Sequence, residues 1–181
     1  MKLILALALL ALGAGSASAS ITVFGGGLAQ ECSNAASSEK SDAHAILVCT
    51  TALSTEFLSP PDRGGTLINR GVLRLREGEV AAAHADFDAG IVLLPGAGEG
   101  WVNRGAAFIA ERRYQQGIAD IDRGLVLGVK EPEKAYYNRA LAHEGLDDEK
   151  SAYLDYHQAL VLKPHWDLPQ HELLRFTVTR Q

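Results

Sequence analysis

Small and apolar residues recur at intervals of three and four through most of the chain, and this spacing predicts helices. Trp101 and Gly105 share one face of a predicted helix, and Gly117 and Ile121 share one face of the next. Polar residues at 111–113 separate the two runs. The pattern therefore predicts a helix, a short turn and an antiparallel helix.

The same unit occurs three times, with a period of 34 or 35 residues. The motif Asn-Arg-Gly at 69–71 recurs at 103–105 and, as Asn-Arg-Ala, at 138–140. Counted from the Asn, positions +14, +17, +18, +21 and +24 also agree in class: small, Asp, large apolar, small and Leu. A fixed period of this length is typical of stacked repeats. The sequence predicts three helical hairpins, at residues 64–97, 98–132 and 133–166.

These repeats resemble the tetratricopeptide repeat, which has a similar length of about 34 residues. The third copy carries the pattern best, with Tyr136, Ala140, Gly145, Ala152, Tyr156, Ala159 and Pro164. Asn-Arg-Gly with a later Asp resembles a bacterial exported subtype of the family. The resemblance covers residues 64–166 and implies an all-α fold, a short right-handed α-solenoid of three hairpins. The second copy has Gly117 and Gly124 where Ala is usual, so we expect it to be the least stable.

Segments on both sides of the repeats complete the predicted domain. Residues 39–58 have small residues at helical spacing before a Pro-Pro break, and residues 167–181 begin with a plausible N-cap and an early Pro. Because the ends of a solenoid need atypical caps, we interpret both as capping helices, the second followed by a short tail. Residues 20–38 are rich in Gly, Ser and Ala, and we expect a flexible lead-in there.

Residues 1–19 have the features of a secretory signal peptide. A charged start precedes a short apolar run at 3–15, and Ala17-Ser18-Ala19 gives small residues before a cleavage site. The run is too short to span a bilayer, so we expect no membrane insertion after cleavage. The remaining 162 residues carry 16 basic and 22 acidic side chains, which argues against a nucleic-acid partner. No lipobox precedes Cys32, so we expect an exported, periplasmic protein.

The two cysteines, Cys32 and Cys49, both follow the predicted cleavage site. Export would place them in an oxidising compartment, where a disulfide is expected. The bridge would stabilise the fold by about 3 kcal/mol on the chain-entropy model. The alternative is a buried Cys49 in the core and a free thiol at Cys32.

Each repeat also carries an Arg and an Asp at equal distances from its turn. Residues placed in this way lie opposite each other in an antiparallel hairpin, where Arg and a carboxylate can form two parallel hydrogen bonds. Threefold recurrence favours a structural salt bridge over an Arg that faces a ligand. The predicted pairs are Arg70 with Asp86, Arg104 with Asp120, and Arg139 with Asp155.

The resemblance also implies a binding site. First helices of tetratricopeptide repeats line a concave groove, and an Asn there often contacts the backbone of an extended peptide, since an amide can both donate and accept. The alternative is an Asn bonded within the stack. The asparagines in question are Asn69, Asn103 and Asn138. The same alignment adds Val102, Ala106, Lys134, Tyr137 and Leu141, with Tyr137 as the aromatic anchor. Only Lys134 suits a carboxylate clamp.

The function predicted from these features is binding rather than catalysis. The sequence contains no nucleophile elbow, phosphate loop, dinucleotide fingerprint or His/Cys metal motif, so we expect no enzyme, cofactor or metal. We expect a protein–protein interaction module of the bacterial periplasm that holds a peptide or partner segment in its groove. The alternative is a structural or assembly component of a cell-envelope complex that uses its convex face or caps.

Overall fold

The computed structural model describes residues 18–22, 27–38 and 43–176. These residues contain nine helices and no strand, which confirms the predicted all-α fold. The helices are α1 (Leu28–Ser37), α2 (Ala43–Thr55), α3 (Pro60–Arg76), α4 (Val80–Leu93), α5 (Gly98–Ala110), α6 (Tyr114–Leu127), α7 (Pro132–Gly145), α8 (Glu149–Leu162) and α9 (Asp167–Leu173).

The three repeats form the hairpins α3–α4, α5–α6 and α7–α8. Each turn contains one residue with positive φ, namely Gly78 at 79°, Arg112 at 60° and Asp147 at 59°. The N–H of the next residue bonds back to the preceding helix, as in Arg113 N–H to the Phe108 carbonyl at 2.8 Å. This closure satisfies carbonyls that a helix C-terminus leaves without partners.

A fourth hairpin, α1–α2, precedes the repeats. Residues 28–37, where we expected a flexible lead-in, instead form α1. The buried residues of α1 match those of α3 at a shift of 36 residues: Ala29, Cys32, Ser33 and Ala36 against Gly65, Ile68, Asn69 and Val72. Those of α2 match α4 at a shift of 38: Ala45, Val48, Cys49 and Ala52 against Ala83, Asp86, Phe87 and Gly90. The N-terminal segment is therefore a degenerate repeat rather than a single cap.

The disulfide Cys32–Cys49 joins α1 to α2 with 4.9 Å between the Cα atoms. The two cysteines occupy the register positions that Ile68 and Phe87 fill in the first repeat. Both are fully buried, and they pack in one cluster with residues of α3. The bridge thus replaces the large apolar contact that this short, Ala-rich hairpin lacks.

Paired helices approach backbone to backbone in the second repeat. A Cβ placed on Gly105 would lie 2.8 Å from the Gly117 carbonyl oxygen, and one on Gly124 would lie 2.8 Å from that of Gly98. These distances are too short for a side chain. The glycines that lower the helix propensity of this copy are therefore the residues that allow its helices to meet.

Neighbouring first helices touch along the chain, since α1 contacts α3, α3 contacts α5, and α5 contacts α7. They form one continuous layer, the first-helix layer, on which the second helices pack. At the far end, α9 packs on α8, and the rings of Trp166 and Phe176 lie against Tyr137 and Tyr156. None of the described helices is both long enough and apolar enough to cross a membrane.

We expect Gly105→Ala to lower the free energy of unfolding by up to about 2 kcal/mol. Ala gains up to about 1 kcal/mol in helix propensity, but overpacking against the Gly117 carbonyl costs about 1–3 kcal/mol. Urea unfolding measures the difference. Gly96→Ala is the matched control, because a Cβ at Gly96 meets no atom within 4 Å. A Gly105→Ala protein more stable than wild type would contradict the close-approach interpretation.

Replacing both cysteines by Ser should lower the free energy of unfolding by about 3 kcal/mol. The reduced wild-type protein should show the same loss, which controls for the Ser side chains. Thiol titration of the unreduced, denatured protein should detect no reactive thiol. Two reactive thiols in oxidised material would show that the bridge is not formed.

Candidate functional site

Each predicted Arg–Asp pair is formed, with two hydrogen bonds. In the second repeat, Arg104 Nε lies 2.7 Å from one Asp120 oxygen and Nη2 lies 3.0 Å from the other. The same two-bond contact joins Arg70 to Asp86 at 2.8 and 2.7 Å, and Arg139 to Asp155 at 2.7 and 2.7 Å. All three aspartates are buried, so each Arg neutralises a carboxylate that would be costly alone.

The third guanidinium nitrogen of each Arg reaches the preceding hairpin. Arg104 Nη1 bonds to Asp88 at 2.7 Å and Arg139 Nη1 bonds to Asp122 at 2.5 Å. In the first repeat, Arg70 Nη1 bonds to Thr50 Oγ1 at 3.2 Å. The hydrogen bonds to Asp120 and Asp155 are the main reason that the pKa values of Arg104 and Arg139 are raised. These arginines join helices within and between hairpins.

The asparagines behave differently, because two of them hold a segment that belongs to no helix. The Asn103 Oδ1 accepts the Ala19 N–H at 3.2 Å, and its Nδ2 donates to the Ala19 carbonyl at 2.8 Å. The Asn69 Oδ1 accepts the Ile21 N–H at 2.9 Å, and its Nδ2 donates to the Ile21 carbonyl at 2.8 Å. Each amide therefore satisfies both backbone groups of one residue, and the two residues are spaced as in an extended chain.

Other polar groups surround the same segment, which we call the groove segment (residues 18–22). Lys134 Nζ donates to the Ser18 carbonyl at 3.3 Å, and Arg76 Nε donates to Ser18 Oγ at 3.2 Å. On the α1 side, Ser33 Oγ donates to the Ile21 carbonyl at 2.8 Å. Thus α1 forms one wall of the groove, and α3, α5 and α7 form its floor.

The structure places two of the predicted groove residues elsewhere. Val102 packs against Gly124 inside its hairpin. Tyr137 is only 5 % exposed, and its ring lies 5.6 Å from that of Tyr156 and 5.1 Å from that of Trp166. Burial is the main cause that raises the pKa of Tyr137 to about 12. In the first two repeats the residue before the Asn lies against the Gly at +21 on the second helix, and Tyr137 packs in the core cluster of the last hairpin. Neither Val102 nor Tyr137 is therefore an anchor for a partner.

The remaining predicted positions lie in or next to the first-helix layer. Ala106 is buried in the cluster shared with α1 and α3, and Leu141 packs partly buried against the last hairpin. Asn138 is buried on α7 at the position equivalent to Asn103. Asn69, Asn103 and Lys134 are the predicted residues that the structure brings together around one extended segment.

Sequence reasoning missed the groove segment, Ser33 and Arg76. Ser33 could have been found, because it matches Asn69 once α1 is aligned with α3. Arg76 lies at the last position of α3, where its side chain reaches both Ser18 and the carbonyls at the end of α1. No local pattern indicates this contact.

Solved structures provide the comparison with known proteins. A TPR domain of Arabidopsis OM64 is 25% identical with a TM-score of 0.61, covering 65% of this chain and 96% of that one. The fold is that of a tetratricopeptide repeat domain. The first TPR of Spaghetti (RPAP3), bound to an HSP90 peptide, is 22% identical with a TM-score of 0.58, covering 62% and 88%. MamA is 20% identical with a TM-score of 0.59, covering 71% and 72%. No family model and no curated protein matches the chain.

We expect the two carboxylates on Arg104 to differ in their contributions to stability. Asp120→Ala should cost about 2–4 kcal/mol, because it leaves a half-buried guanidinium without its main partner. Asp88→Ala is the matched control and should cost under about 1 kcal/mol, since the Asp88 side chain is largely exposed. Urea unfolding of both variants gives the comparison. Equal losses would contradict the assignment of the pair with Asp120 as the structural one.

Proposed function

We propose that this protein is a non-enzymatic interaction module that binds an extended peptide or partner segment in its concave groove. The observation that carries the proposal is that Asn69 and Asn103 each bind both backbone groups of one residue in the groove segment. These hydrogen bonds involve only backbone groups of the bound segment, so they suit any chain in an extended conformation. Two structures of similar fold support the idea, since TPR domains of RPAP3 are bound to an HSP90 peptide and an HSP70 peptide.

We also propose that the protein is exported to the bacterial periplasm and belongs to the exported Asn-Arg-Gly subtype. The apolar run at 3–15 supports export, although residues 1–17 lie outside the described residues. The disulfide Cys32–Cys49 also suits an oxidising compartment. Cleavage after Ala19 would cut the groove segment in two. Intact-mass measurement of protein recovered from the periplasm tests this, and a mass that still includes residues 1–19 would contradict it.

A second candidate is a structural component of an envelope complex that binds through the convex face. One valine at the same position of each repeat lies exposed on a second helix: Val92 at 78 %, Val126 at 80 % and Val161 at 58 %. An apolar row of this kind can form part of an interface. The two candidates place the partner on opposite faces, so one pair of variants separates them.

We expect Asn69→Ala with Asn103→Ala to remove partners that bind through the groove. Cleavage after Ala19 removes the occupant of the Asn103 subsite, so in the processed chain the replaced Asn103 amide loses two hydrogen bonds to the partner backbone, at about 0.5–1.5 kcal/mol per bond. Affinity should therefore fall by about fivefold or more, measured by quantitative cross-linking to envelope extract. Val92→Ser with Val126→Ser is the matched control, with circular dichroism to confirm that both variants fold. Partners lost only from the valine variant would favour the envelope-component function.

A further inference from the structure

The backbone and the side chains of the groove segment form hydrogen bonds with different partners. The Asn103 amide bonds to the backbone of Ala19, and the Asn69 amide bonds to that of Ile21, two residues later. In an extended chain, alternate side chains point to opposite sides. The hydroxyls of the other three residues accordingly form hydrogen bonds with different partners. Arg76 donates to Ser18, Lys130 donates to Thr22, and the hydroxyls of Ser20 and Ser37 lie 2.7 Å apart.

The subsites that hold Ala19 and Ile21 also differ in the size of side chain that they accept. Ala19 is 2 % exposed, so a larger side chain at this subsite would have to displace its neighbours. Ile21 is partly buried and packs against the apolar cluster that α1, α2 and α3 share. The Asn103 subsite therefore accepts a small residue, and the Asn69 subsite accepts a branched apolar residue two positions later.

We propose that the groove segment is the template of the partner and that, in the chain before cleavage after Ala19, it is also a built-in competitor. The partner is an extended segment with a small residue on Asn103, a β-branched apolar residue on Asn69 and hydroxyl residues between and beside them. It displaces residues 18–22 from the groove of the uncleaved chain and residues 20–22 from the groove of the processed chain. This inference rests on the proposed function, because it assigns the kind of segment that the same groove binds.

The short connection between the groove segment and α1 favours this segment over an outside peptide. Only five residues separate Thr22 from Leu28, the first residue of α1, and α1 is held by the disulfide. A short tether keeps a segment at a high effective concentration, so an outside peptide meets a groove that is mostly occupied. Cleavage between Ala19 and Ser20 would remove the residue on Asn103 and leave Ile21 on Asn69. The processed chain would then have one of the two subsites open.

Fluorescence anisotropy with a labelled Ser-Ala-Ser-Ile-Thr peptide, capped at both ends, tests the inference on the uncleaved chain of residues 1–181, refolded in vitro under oxidising conditions. In the variant Ala19→Arg, the large side chain should expel the groove segment, and the peptide should bind at least tenfold more tightly than to wild type. Val92→Arg is the matched control, because Val92 is exposed on a second helix, and should bind like wild type. Ile21→Asp is a second displacing variant in case Ala19→Arg fails to fold. A peptide with Arg in place of Ala should bind the displaced variant at least tenfold more weakly.

Selection from a random peptide library on the displaced variant separates this inference from the proposed function. Library peptides that bind and are lost with Asn103→Ala, while Ser-Ala-Ser-Ile-Thr does not bind, would overturn the template and leave the groove function intact. Equal binding of the probe to wild type and to Ala19→Arg would overturn the competitor role. Absence of binding by both probe and library would overturn the groove function itself.

Discussion

The close approach of paired helices is the constraint on which the other contacts depend. Where Gly105 meets Gly117, no side chain separates the two backbones. At this distance the Arg that precedes Gly105 reaches Asp120 with two hydrogen bonds and still has a nitrogen left for Asp88 in the previous hairpin. The Arg104 side chain thus links the two helices of its own hairpin and also links that hairpin to the previous one. The resulting spacing places the asparagines of neighbouring repeats opposite alternate residues of one extended chain.

Much of the architecture could be predicted from the sequence because it repeats at a fixed period. Equal distance from a turn is a property of the sequence alone, so the pairing of Arg139 with Asp155 followed without knowledge of the packing. The contact of Arg139 with Asp122 did not follow, because it depends on which second helix lies beside which first helix. Contacts inside a repeat are encoded by local spacing, whereas contacts between repeats depend on how the hairpins stack.

The errors have physical reasons of the same kind. Val102 precedes Asn103 by one residue, which is a rotation of about 100° around a helix. That rotation turns the side chain from the groove into the hairpin core. The helix α1 is short and rich in small residues, so its pattern alone resembles a flexible segment. It is stabilised by contacts that local patterns do not encode: the bridge to Cys49 and the hydrogen bonds of Arg76 to its C-terminal carbonyls.

The energetics of the groove follow from what an occupant replaces. When the groove segment leaves, the amides of Asn69 and Asn103 exchange four hydrogen bonds to backbone for hydrogen bonds to water, at a net cost of only about 0.5–1.5 kcal/mol each. An incoming extended chain restores the same four bonds, so the backbone contributes almost equally to the bound states before and after exchange. Preference between occupants is therefore decided by side-chain fit at the Ala19 and Ile21 subsites, and by the tether that favours the chain's own segment.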